Sequence, residues 1–129
     1  MSPFADHLFQ LRRSRGLRQK DLANLLGIGT SYLCALETGR KEPPSEQQLA
    51  RMAKAMALDQ SEYAAFVEVA NLSRRNLEIP IDASVDEYQI AHALIRRMGE
   101  LTCEQVAAIS MILKIDAKRL PVQLYRETA

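Results

Sequence analysis

The run QKDLANLLGIGTSYLCALETG, from Gln19 to Gly39, concentrates amide and hydroxyl side chains at two places, Gln19 at its start and Thr30, Ser31 and Tyr32 in its middle. Such groups donate and accept hydrogen bonds, which suits recognition of a polar surface better than bond-making. Nothing around them adds reactive chemistry. The chain has no Gly-rich phosphate loop, no nucleophile elbow and no clustered carboxylates, so an enzyme is not expected. His7 and His92 stand alone, and Cys34 and Cys103 belong to no C-x-x-C pair. No metal site, cofactor or disulfide framework is therefore expected.

These polar groups need elements to hold them. Leu22, Ala23, Leu25 and Leu26 recur at helical spacing, Gly27 stops that helix, and Leu33 and Leu36 give a second helix an inward face. The pattern is a helix-turn-helix. A tight turn sets two such helices at a steep angle, so that the start of the second can enter a DNA major groove while the first crosses the backbone. Charge agrees with this. The chain as a whole is near neutral at +1, but residues 1–45 hold seven basic side chains against four acidic ones. The positive potential thus belongs to the segment that carries the motif, and the rest is slightly acidic.

The 129 residues, 47% hydrophobic and 26% charged, are ordinary for a soluble globular protein. No apolar run approaches the roughly 18 residues needed to span a bilayer, and MSPFADHLFQLRR lacks the pattern of a secretion signal. A cytoplasmic protein with no membrane partner is expected. Periodicity predicts helices over 4–14, 19–26, 30–38, 46–56 and 60–72, with Gly16 and Gly39 as stops. Ser45 with Gln48, and Asp59 with Glu62, read as capping boxes for the fourth and fifth. Their inner faces are Leu49, Met52, Ala53 and Met56, then Tyr63, Phe66, Val67 and Ala70.

Residues 73–83, SRRNLEIPIDA, break the periodicity and read as a linker with a short extended piece. Ser84 with Glu87 opens a further helix to about Met98, stopped by Gly99, and Thr102 with Gln105 opens a last one to about Ala117. The reading is all-α, with a five-helix domain over 1–72, a linker over 73–83 and a C-terminal helical hairpin over 84–129. That hairpin carries more apolar surface than two helices can bury. Leu94, Ile95, Met98, Val106, Ile109, Ile112 and Leu113 are the candidate dimerisation residues.

The run LRRSRGLRQKDLANLLGIGTSYLCALETGRKEPPSEQQLARMAKAMALD resembles the DNA-binding domain of the phage repressor and Cro group, the Xre family of bacterial and phage regulators. The resemblance covers about the first 72 residues and rests on Arg12, Gly16, Leu17, Gln19, Leu22 and Ala23, on the glycine turn, on Leu36, Glu37 and Gly39, and on a proline before the fourth helix. It implies a repressor-like domain that binds double-stranded DNA, with roles for particular residues. Gln19 would position a phosphate and buttress the reading helix, unless it is only a solvated helix start. Arg18 stands where relatives carry a capping residue, exchanging a cap for a phosphate ligand.

Thr30, Ser31, Tyr32 and Ala35 would face base edges, with Tyr32 equally suited to packing or to a phosphate. Thr38, Arg40 and Lys41 would form a second phosphate clamp, unless they are a solvated basic loop. Arg12 and Glu37 would make a structural ion pair. Cys34, beside the reading face, is read as filler more readily than as a redox switch.

Two functions compete on this reading. One is a repressor that binds a two-fold operator as a homodimer. The other is an antitoxin-like autoregulator whose C-terminal helices hold a toxin or another protein partner.

Overall fold

The computed structural model describes residues 1–115, which contain seven helices and no strand. The chain divides into two compact units, the first spanning Met1–Glu78 and the second beginning at Ile79. In the first are α1 (Pro3–Ser14), α2 (Gln19–Leu26), α3 (Thr30–Thr38), α4 (Glu46–Ala55) and α5 (Gln60–Leu72).

Each helix begins where a side chain, or the lack of one, dictates. The Ser2 hydroxyl accepts from the Ala5 amide at α1, with Pro3 in the first turn, where its missing N–H costs nothing. At α4 the Gln48 amide donates to Ser45 Oγ. At α5 Asp59 and Glu62 exchange bonds with each other's amides, at 2.8 and 3.1 Å. Gly27 adopts φ 69° at the end of α2, the left-handed turn that lets α3 start three residues later.

The apolar faces meet in one core. Phe4 and Leu8 of α1, Leu22 and Ala23 of α2, Leu33 and Leu36 of α3, Leu49, Met52 and Ala53 of α4, and Phe66 and Ala70 of α5 are all buried. The Phe4 and Phe66 rings lie tilted with centroids 5.3 Å apart, joining the first and last helices. Two periodicity assignments shift. Leu25 is 49% exposed, since the core-facing stripe of so short a helix admits Leu22, Ala23 and Leu26 but not Leu25. In α5 it is Val69, rather than Val67, that packs against the core with Tyr63.

The first unit also runs past α5. Ser73 is buried; its hydroxyl accepts from the Phe4 amide at 2.8 Å and donates to the Val69 carbonyl at 2.7 Å. Arg74 and Arg75 bond back onto the loop between α3 and α4. These three residues, at the start of the segment read as a linker, are thus fastened to the helical domain. The division after Glu78 falls inside that segment, which forms a turn at Pro80–Ala83 and no strand.

Among the described residues, Ala57 is the non-glycine residue with positive φ, 54°, just after α4. An alanine there carries a steric cost that glycine escapes. Ala57→Gly is therefore expected to stabilise the unit by about 0.5 to 1 kcal/mol after allowing for the greater freedom of the unfolded glycine chain. A denaturant midpoint that stays put or falls would contradict this.

The second unit holds α6 (Val85–Arg97) and α7 (Cys103–Leu113). Ser84 with Glu87 and Thr102 with Gln105 form reciprocal capping boxes. α7 ends earlier than periodicity suggested. The Lys114 amide reaches both Ser110 and Met111 carbonyls at 3.2 Å, a tightened last turn that closes the helix. Ala117, the expected end, lies outside the described residues, as does the rest of 116–129.

Candidate nucleic-acid interface

α2 and α3 are joined through one buried carboxylate. Glu37 projects from the last turn of α3 into the interior, its side chain only 2% exposed. A negative charge near a helix C-terminus is disfavoured by the helix dipole, so a cation has to balance it. Arg12 of α1 does so, its Nε standing 3.1 and 2.9 Å from the two carboxylate oxygens. The same guanidinium donates to the Leu17 carbonyl at 2.9 Å and lies 5.3 Å from the Phe9 ring centroid. Gln19 completes the cluster, its amide nitrogen donating to Glu37 Oε1 at 3.3 Å. The start of α2, the end of α1 and the end of α3 are thereby fixed to one another.

With its C-terminal end held from inside, α3 presents its N-terminal end outward. Gly29 caps it in extended conformation without a side-chain bond to the first turn. Thr30, Ser31 and Tyr32 are exposed and Ala35 is half-buried, one turn further on. Among the described residues, Thr30, Ser31, Tyr32 and Lys41 make no side-chain hydrogen bond, which leaves their polar atoms open to an outside partner. Outward-facing amides at a helix start favour an anion.

The basic positions differ from one another in freedom. Arg40 is exposed but oriented: its Nε donates to Thr38 Oγ1 at 3.3 Å, and its Nη2 lies 3.9 Å from Cys34 Sγ. The Thr38 hydroxyl in turn donates to the Cys34 carbonyl at 2.9 Å. The backbone amides of Arg40 and Lys41 both donate to the Ala35 carbonyl, at 3.0 and 3.2 Å. Arg18 instead turns sideways. Its Nε meets Asp21 Oδ2 at 3.2 Å, and its own amide faces the same oxygen at 3.4 Å. The Arg18 guanidinium, and next its amide, hold the Asp21 carboxyl below the usual aspartate range. Asp21, the third residue of α2, is a participant that periodicity and the family resemblance did not single out.

Cys34 is half-buried and Cys103 exposed, and both are free thiols. No three His, Cys, Asp or Glu side chains gather as a metal site among the described residues, and no helix there is long and apolar enough to cross a membrane.

In the second unit no residue of α6 or α7 is buried. Leu94 and Ile109 are half-buried and border a shallow groove between the two helices with Ile90 and Leu101. Ile95, Met98, Val106, Ile112 and Leu113 are exposed, Leu113 to 79%.

A core-supported pair of short helices across a glycine turn, with a polar helix start left free, defines a DNA-binding helix-turn-helix domain. Residues 3–66 match a family model described as a helix-turn-helix domain, consistent with the Xre and Cro-like regulators that the first unit resembles. No curated protein and no solved structure matches the chain.

Proposed function

We propose that the protein is a sequence-specific transcriptional regulator that represses from a two-fold operator as a homodimer, with α3 in the major groove. The observation that carries this reading is the arrangement of α3. Its inner end is locked by Glu37, Arg12 and Gln19, while Thr30, Ser31 and Tyr32 at its outer end remain unpaired. Hydroxyls read bases less sharply than a bidentate Arg or Gln, so methyl contacts from Thr30 and Ala35 and the shape of the duplex share in the specificity. Arg40 and Lys41, with Thr38, serve as phosphate ligands on one side. Arg18 and Gln19 do so on the other, Arg18 by exchanging Asp21 for a phosphate.

The homodimer is supported by the apolar side chains of α6 and α7, which are left uncovered by the described residues of the second unit. A copy of the same chain would cover Ile95, Met98, Val106, Ile112 and Leu113 together with Leu94 and Ile109. The alternative, an antitoxin-like protein with a toxin on these helices, draws on the same surface, and a small protein that co-purifies in fixed ratio would favour it.

Selection of random duplex DNA by the full chain, with the mass of the complex measured, tests the reading. An enriched palindrome bound by two chains is expected. Arg40→Ala or Lys41→Ala should weaken binding to every sequence and lower the salt slope by about 1 each. Changes at Thr30 or Ser31 should alter the preferred base by about 1 to 3 kcal/mol. Unaltered base preference in the Thr30 and Ser31 variants would remove α3 from the reading role.

A further inference from the structure

The loop between α3 and α4, Gly39–Pro44, presents Arg40 and Lys41 to solvent. Its near end is anchored by the two amides on the Ala35 carbonyl. Its far end has no such means, because Pro43 and Pro44 carry no N–H. Both prolines are nevertheless buried, and their carbonyl oxygens accept from one side chain: Arg74 donates through Nη1 to Pro43 and through Nη2 to Pro44, the latter at 2.6 Å.

The next residue closes the other side. Arg75 Nη2 donates to the Gly39 carbonyl at 2.7 Å, and the Arg75 amide donates to Glu42 Oε1 at 2.9 Å. Two consecutive residues beyond α5 thus bracket Arg40 and Lys41 from before and after. Their guanidinium groups are directed at neutral carbonyls and form no salt bridge with a carboxylate among the described residues. That use of arginine is geometric, since a planar fork spans two carbonyls where an ammonium serves one.

We propose that Arg74 and Arg75 are positioning residues for DNA binding, bracing the Gly39–Pro44 loop so that Arg40 and Lys41 meet phosphates already ordered. This rests on the reading of Arg40 and Lys41 as phosphate ligands. A loop ordered before binding spares the complex the entropy of fixing it.

The test uses the full chain and a duplex of fixed length, with affinity measured across a salt series and amide exchange of Gly39–Glu42 measured without DNA. The double variant R74K/R75K keeps both charges and loses the fork. It is expected to bind about tenfold more weakly, the scale of ordering a residue or two, with an unchanged salt slope and faster loop exchange. Wild-type affinity and exchange in R74K/R75K would overturn the proposal. So would a slope in R74A/R75A reduced by about 1 per arginine, which would make these residues phosphate ligands themselves. Should the alanine pair fail to fold, the lysine pair decides alone. If R40A/K41A leaves affinity and slope unchanged, the phosphate-ligand reading of the loop fails, whatever the exchange data show for the brace.

Discussion

Glu37→Ala is expected to destabilise the first unit by about 3 to 5 kcal/mol, the usual consequence of removing one member of a buried ion pair. The size follows from what is left behind. Without the carboxylate, the Arg12 guanidinium keeps the Leu17 carbonyl and the Phe9 ring but has no counter-charge, and the Gln19 amide loses its acceptor. Against a typical domain stability of roughly 5 to 15 kcal/mol, such a loss removes much of the margin. Replacing both partners by apolar residues, as in R12M/E37L, should cost far less, because no charge is then stranded. Denaturant unfolding of the two singles and the double separates these terms. A Glu37→Ala variant with a near-native midpoint would mean that water reaches Arg12 freely.

Deletion of residues 84–129 is expected to leave the helix-turn-helix unit folded, monomeric and about 100-fold or more weaker on a two-site operator. The unit keeps all of its core and every hydrogen bond described around Glu37, since none involves a residue beyond Arg75. What it loses, on the proposed function, is the link to a second α3. In a dimer on a palindrome the second α3 binds from a high local concentration, in a groove about one helical turn, roughly 34 Å, away. Affinity for a single half-site should change little by comparison. The check is the mass of the truncated chain and its binding to one half-site and to two. A truncated chain that still dimerises would take the pairing role away from α6 and α7.

Much of the architecture was legible because helix starts are local chemistry. Ser45 with Gln48, Asp59 with Glu62, Ser84 with Glu87 and Thr102 with Gln105 each announce a start within four residues, and the glycines announce the stops. The Arg12, Gln19 and Glu37 cluster was reachable only through family resemblance, as its members lie 18 and 25 residues apart. Ser73, Arg74 and Arg75 were not reachable at all. They are polar residues after the last periodic stripe, which is what a linker looks like, and the distant partners of their side chains are backbone atoms 30 or more positions away. Backbone acceptors leave no residue-type signature. The Arg18 and Asp21 pair had a signal, the acidic third residue of α2, which the resemblance to relatives with a different capping residue obscured.

The bond from the Phe4 amide to the Ser73 hydroxyl brings the first turn of α1 against the first residue after α5. The start of α1 and the end of α5 therefore meet at one seam, and the other helices of the first unit lie between them in sequence. A domain whose two ends meet in one place behaves as a cassette. Recombination can join it to another sequence at that seam without cutting any of its five helices, and α3, which lies between the ends, is carried along intact.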